Sequence, residues 1–211
     1  MVAAHHRALL LPAARRLVMA ACGLVLGASG VILSLPVSAE TGKPAAWPPV
    51  VAAEQELPLT PSMTEGPYFK PDSPLRSSLI EEGVSGTPIL LTGQVLAPDG
   101  QPIAGAVVDI WQADERGRYD TAGYRLRGHT LTDENGVYAL ETIVPGLYPG
   151  RTRHIHVKVQ APGGPVLTTQ LFFPDEAANA RDRIFDPRLL LEVQESEHGL
   201  VGRFTFVVAI A

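Results

Sequence analysis

Two histidines separated by one residue, His154-Ile155-His156, are the sharpest chemical feature of the sequence. On an extended strand side chains alternate with period two. Both imidazoles therefore project from one face, roughly 7 Å apart at the backbone, close enough to meet at a single ion. Such pairs also occur as plain surface or core residues, so the flanks matter. Arg151 and Arg153 stand just before the pair, and cations there favour an anionic ligand in the same pocket. Along the chain the nearest acidic residues are Glu141 upstream and Asp175 downstream.

The donors that could complete a site are few. The chain has one cysteine, Cys22, so a thiolate-rich zinc or iron–sulfur centre is excluded. It has five tyrosines: Tyr68, Tyr119, Tyr124, Tyr138 and Tyr148. A phenol titrates near 10. It becomes a ligand only for a cation acidic enough to hold phenolate, which favours hard Fe(III) over Zn(II) or Mg(II). The other role of tyrosine in a β protein is packing, with its hydroxyl in water, and spacing does not choose among the five. His129, ahead of a strand, and His198, in a Glu197-His198-Gly199 turn, do not read as ligands.

The elements that must position these groups read as short strands. Residues 89–96 form one, followed by a Pro98-Asp99-Gly100 turn, and residues 106–112 form a second. Asp133-Glu134-Asn135-Gly136 is a turn between a short strand at 130–132 and one at 137–143. Residues 154–160, 166–173 and 204–210 complete the series, with one short helix at 175–182 as a surface connector. The spacing predicts an all-β antiparallel sandwich of about six to eight strands with long loops at the site. Residues 64–86 hold Pro67, Pro71 and Pro74 and should lack long regular structure.

The chain has 211 residues and a formal net charge of −5, which fits one small domain and argues against a nucleic-acid binder. The charge is uneven. Residues 1–39 carry Arg7, Arg15 and Arg16 and no acid; an apolar stretch at 17–35 then leads to Val37-Ser38-Ala39. This reads as an export signal, of either the Sec or the twin-arginine kind, ending after Ala39. An uncleaved anchor is the other reading of the same stretch. Cleavage would remove Cys22, leave no stable membrane insertion, and place the protein in the periplasm or outside the cell. Residues 40–63, with five prolines, read as an exposed Pro/Ala-rich arm; residues 64–211 form the domain.

Several segments together resemble one family. They are Thr64-Glu65-Gly66-Pro67-Tyr68-Phe69, Ile110-Trp111-Gln112-Ala113-Asp114, Gly117-Arg118-Tyr119, Thr132-Asp133-Glu134-Asn135-Gly136-Val137-Tyr138, Thr142-Ile143-Val144-Pro145-Gly146-Leu147-Tyr148-Pro149, Arg151-Thr152-Arg153-His154-Ile155-His156 and Thr169-Gln170-Leu171-Phe172-Phe173. In this order they resemble the intradiol ring-cleavage dioxygenases, over about residues 64–173. The resemblance implies a non-haem Fe(III) held by Tyr119, Tyr148, His154 and His156. It implies catalytic roles for Arg151, for Gln170 and for Tyr148 as the tyrosine that leaves the metal. Tyr68 falls at the mouth of the substrate pocket by the resemblance, and Arg153 is placed at that pocket by its charge beside the histidines. The implied reaction inserts O2 between the two hydroxylated carbons of a catechol-type ring and gives a cis,cis-muconate-type diacid.

Two departures bear on the substrate. Only Pro149 and Gly150 separate Tyr148 from Arg151, where protocatechuate enzymes have a longer insertion, and Arg153 stands where proline is common. Nothing in residues 40–88 could form the helical dimerisation region of the catechol-cleaving branch, so the chain looks like a small exported member of the protocatechuate β-chain type. Oligomeric state is left open. Two rival readings remain. One is an exported transthyretin-like or carboxypeptidase-regulatory-like sandwich that only binds, suggested by residues 93–106. The other is a zinc hydrolase using His154, His156 and a carboxylate, for which no His-Glu-x-x-His helix is present.

Overall fold

The computed structural model describes residues 56–197 and 199–211, and nine strands lie within them. The expected export signal, the first part of the arm, Cys22 and His198 lie outside the described residues. The strands are β1 (Pro88–Leu96), β2 (Val107–Trp111), β3 (Arg127–Leu131), β4 (Val137–Ile143), β5 (His154–Gln160), β6 (Val166–Phe172), β7 (Glu192–Ser196), β8 (Gly199–Arg203) and β9 (Phe206–Val207). They form two sheets, one ordered β4-β1-β8-β7 with β9 also paired to β1, the other ordered β3-β2-β5-β6. None of the described helices is long and apolar enough to cross a membrane.

The inner faces make the core. Leu91 and Leu140, with Tyr138, come from the first sheet; Val108, Ile110, Ile155, Val157 and Leu171 come from the second. Each large aliphatic side chain buried this way contributes about 1.5–3 kcal/mol.

The sandwich matches the expected class, with three differences of detail. The sheet of four is wholly antiparallel, but β1 pairs β8 and β9 in parallel, so the larger sheet is mixed. Strands β7 and β8 were not expected, and the strand expected at 204–210 shrinks to Phe206–Val207. The helix expected at 175–182 is a single 3-10 turn, Asn179–Arg181, with a second turn at Pro187–Leu189; the described residues hold no α-helix. Asp175 has φ of 58° and Asp182 is extended, so neither end of that stretch is helical. Asp175, Ala177, Ala180 and Arg181 are exposed as a surface connector requires, while Asn179 and Asp182 turn inward.

The outer face of the four-stranded sheet is where the chemistry collects. Direct pairing places Arg127 opposite Trp111, Trp111 opposite His156, and His156 opposite Gln170. Directly paired residues share a face, so these four form one row across β3, β2, β5 and β6. His154 faces Phe172 one step along. A strap, residues 57–78, runs along the β6 edge and then crosses that face, where Phe69 packs edge-on against Trp111 at 5.0 Å and Ser73 Oγ donates to Asp109 Oδ1 at 2.8 Å. Met63 N–H donates to Thr168 O at 2.8 Å, Thr169 Oγ1 to Pro61 O at 2.7 Å, and Thr60 N–H to Val207 O at 3.0 Å. The end of the predicted arm is thus hydrogen-bonded along the domain.

Candidate functional site

Three connections bring tyrosines to the covered face. Tyr68 lies on the strap, Tyr119 between β2 and β3, and Tyr148 between β4 and β5. The two loops that carry Tyr119 and Tyr148 meet backbone to backbone. Gly146 N–H donates to Asp114 O at 2.8 Å. A Cβ on Gly117, whose φ is +77°, would overlap the Leu147 carbonyl oxygen, and one on Gly146 would overlap Glu115 O. Only glycine permits this approach.

His154 and His156 are both nearly fully buried. Their Nε2 atoms face each other at 3.2 Å. His154 Nδ1 lies 2.6 Å from Thr152 O. A carbonyl only accepts, so Nδ1 carries the proton and Nε2 presents a lone pair. Tyr119 Oη sits 3.3 Å from that same Nε2. Trp111 stacks on the His156 ring at 4.8 Å and 8°, and Gly66 of the strap packs against its Cε1. His156 Nδ1 has no hydrogen-bond partner among the described residues, so the protein leaves the tautomer of that ring to whatever engages Nε2.

Tyr148 completes the cluster from the side. Its Oη is 2.9 Å from Tyr68 Oη, and the Tyr68 ring stacks on Tyr119 at 4.3 Å and 9°. Burial raises the Tyr119 phenol well above its ordinary value, while the Arg151 and Arg127 cations work against that rise. The hydrogen bond to Tyr148 raises the Tyr68 phenol, and burial adds to it. Burial pushes His154 down to about 4 and His156 down to about 2, with Arg151 adding to both and His154 adding to His156. Neutral imidazoles are the metal-binding form. The donor set therefore fits one hard cation: two facing imidazole nitrogens and phenols that only a strong Lewis acid would ionise. Among the described residues no cluster of three or more His, Cys, Asp or Glu could hold a metal, so the carboxylate ligand of a zinc hydrolase is not found with the pair.

The depressed histidines make stability pH-dependent in the metal-free protein. The unfolded state takes up protons near 6.5, the native state only near 4 and 2. Native stability is full above 6.5 and lost as pH falls through that window. Each histidine should contribute a slope of about 1.4 kcal/mol per pH unit between pH 6.5 and 4. Urea midpoints of metal-free protein at pH 7 and pH 5 test this; equal midpoints would show that the pair is not buried neutral.

Arg151 stands beside the cluster on a two-sided brace. Its Nε donates to Asp182 Oδ2 at 2.8 Å and its Nη2 to Gln170 Oε1 at 2.6 Å. Asp182 Oδ2 also accepts from Thr152 N–H at 2.9 Å, and Gln170 Nε2 donates to Thr64 O at 2.9 Å. The stretch expected to be a surface connector thus supplies Asp182 to the site, and Asn179 bonds Thr152 Oγ1 through its Oδ1.

Arg153 is not gathered with the others. Its guanidinium bonds Glu176 Oε2 at 3.0 Å and the Pro145 carbonyl, and it lines a cavity of about 630 Å³ with Glu115, Val144, Phe173 and Glu176. A second cavity, of about 440 Å³, lies along Tyr119 among Gln112, Asp114, Arg118 and Arg125. Neither cavity contains the histidines.

Two tyrosines stand apart. Tyr124 Oη donates to Pro71 O. Tyr138 is in the core of the sandwich and donates to Phe204 O at 2.9 Å. Tyr138→Phe should cost about 1–3 kcal/mol for the stranded carbonyl and leave metal content unchanged; metal loss in that variant would mean the tyrosines are wrongly assigned. His129, expected ahead of a strand, is inside β3, with Nδ1 3.1 Å from Ser73 Oγ. Arg127, which no local pattern in the sequence marks, is buried on the same face opposite Trp111.

Comparison with known proteins bears on this geometry. A family model described as dioxygenase matches residues 64–209. Hydroxyquinol 1,2-dioxygenase of Rhizobium sp. (strain MTP-10005) is 31% identical over 161 residues, 63% of this chain and 54% of that protein. This chain thus spans about half the length of that relative. The protocatechuate 3,4-dioxygenase beta chain of Burkholderia cepacia is 30% identical over 191 residues, covering 77% of each chain. Among solved structures, the dioxygenase domain of a dioxygenase carbohydrate-binding protein fusion from Streptomyces sp. SirexAA-E is 52% identical with a TM-score of 0.71, covering 73% of this chain and all of that one.

Proposed function

The chain belongs to the intradiol ring-cleavage dioxygenase family, and from that premise we propose that it is a non-haem Fe(III)-dependent enzyme that opens a catechol-type ring with O2. The cut falls between the two hydroxylated carbons and yields a cis,cis-muconate-type diacid. The observation that carries this reading is the facing pair of Nε2 atoms at 3.2 Å with the Tyr119 phenol 3.3 Å from one of them. His154, His156, Tyr119 and Tyr148 are the residues that would hold the ferric ion. When bound, that ion supplies Lewis acidity, drawing electron density from the ring oxygens and priming the ring for O2.

The protein's own groups do the rest. Tyr148 Oη is the acceptor for a substrate hydroxyl proton, and Tyr68 Oη, 2.9 Å away, keeps the resulting phenol hydrogen-bonded. Arg151 offers a fixed cation where negative charge develops on the ring oxygens, a role that depends on preorganisation. Gln170 and Asp182 hold its fork in place. Trp111 and Gly66 keep the His156 ring in its plane and shield it from water. The reading also includes export, supported by the three arginines and absent acids ahead of the apolar stretch.

Oxygen uptake with a panel of catechol, hydroxyquinol, protocatechuate and a chlorocatechol tests the proposal. One mole of O2 consumed per mole of ring, with a dienoic diacid as product, supports it. Absence of turnover on every ring by iron-loaded protein would overturn it.

A further inference from the structure

Arg127 is a buried cation that the proposed chemistry does not use. It closes the row Arg127, Trp111, His156, Gln170 across the sheet, and only 2% of it is exposed. All of its side-chain hydrogen bonds among the described residues go to backbone carbonyls on two separate segments. Nη1 donates to Tyr68 O at 2.6 Å, while Nε and Nη2 donate to Asp120 O at 3.1 and 2.7 Å. The Asp120 carboxylate is occupied elsewhere, by the N–H groups of Ala122, Gly123 and Arg125. Among the described residues no carboxylate bonds its guanidinium directly; burial lowers its pKa, and the nearby Asp120 and Asp109 charges work against that fall. Its fork therefore joins the residue that bears the Tyr68 ring to the neighbour of Tyr119, and those two rings lie stacked at 4.3 Å.

We infer that Arg127 is a positioning residue of the metal site, a clamp between the strap and the Tyr119 loop that fixes the Tyr119 phenol against His154. This inference rests on the reading that Tyr119 is a metal ligand. A guanidinium can serve two carbonyls at once because its donors diverge in a rigid plane; an ammonium is a single point. Lys therefore keeps the charge at this position and loses the bridge. Other ties between the strap and the 120–124 turn remain, such as Lys70 Nζ to Ala122 O at 2.8 Å, so cutting the clamp should loosen these segments locally.

Full-length Arg127→Lys and Arg127→Met proteins are compared with wild type and with Lys70→Ala, which cuts a more exposed tie. Hydrogen–deuterium exchange on metal-free protein should accelerate at least tenfold in peptides covering residues 64–72 and 117–123 in both Arg127 variants, with β1 and β4 unchanged. In Fe(III)-loaded protein the visible absorption band should shift and weaken in Arg127→Lys but not in Lys70→Ala, and kcat should fall more than KM changes. If Arg127→Met does not fold, Arg127→Lys decides. Exchange within twofold of wild type, exchange raised equally throughout the molecule, or an unmoved band would each overturn the clamp. If wild type itself binds no Fe(III), the dioxygenase reading fails, while the exchange data still decide whether Arg127 joins the two segments.

Discussion

His156→Ala is expected to lose ferric-ion retention and all ring-cleaving activity, and Tyr119→Phe to do the same while keeping the fold. The two residues reach the site from different elements, β5 and the β2–β3 loop, so a shared loss locates the metal between them. Removing a hydrogen-bond partner outside a metal's ligand set typically lowers affinity about 10–100-fold. Removing a ligand itself should exceed that range. Tyr119→Phe retains the ring that stacks on Tyr68 and deletes only the oxygen 3.3 Å from His154 Nε2. His156→Ala empties a place packed against Trp111, so His156→Gln is the better-filled companion. Metal content after dialysis, with circular dichroism to confirm folding, reads the outcome. Full iron occupancy in Tyr119→Phe would remove that residue from the ligand set.

Arg151→Met is the second large effect, and it separates charge from metal binding. The side chain touches neither histidine in the hydrogen-bond network; it bonds Asp182 and Gln170. Iron should stay bound, while kcat falls about 10²–10³-fold, the range seen when one preorganised charge-stabilising donor is removed. Arg151→Lys should recover little, since one ammonium cannot satisfy both a carboxylate and an amide oxygen at the angles a fork provides. The Asp182 side chain is only 3% exposed, against 20% for Arg151. Asp182→Ala would leave the Thr152 N–H and the Arg151 Nε without their acceptor, and should destabilise the protein by about 3–5 kcal/mol. Iron-loaded Arg151→Lys turning over within threefold of wild type would refute a role for the fork.

The sequence made the histidine pair plain because strand periodicity forces both rings onto one face, and β5 begins at His154 as the pattern demands. It also singled out Tyr119 and Tyr148 through their segments, but not the means by which they meet. That depends on Gly117 and Gly146 passing backbone to backbone, a contact between residues about thirty apart that no local pattern encodes. Strands β7 and β8 escaped notice for a different reason. Glu192–Ser196 is mostly exposed and polar, and Gly199–Arg203 contains two glycines, so neither carries the apolar alternation that marks a strand. The 175–182 stretch looks helical by composition, yet Asn179 and Asp182 bond inward to Thr152 and Arg151; tertiary bonds override weak helix propensity. Arg127 was hidden because β3 starts three residues earlier than the residues suggest, which puts a charged side chain in the same row as His156. Arg153 shows the reverse. Its place beside the pair suggested the pocket, but its ion pair with Glu176 takes it to another cavity.

The visible spectrum of purified full-length protein loaded with one equivalent of Fe(III) tests the central claim most directly. Phenolate ligation predicts a wine-red protein, with a tyrosinate-to-iron charge-transfer band that is lost in Tyr119→Phe, unchanged in Tyr138→Phe, and moved when a catechol is added without oxygen. A colourless protein holding stoichiometric iron would contradict ligation by Tyr119 and Tyr148.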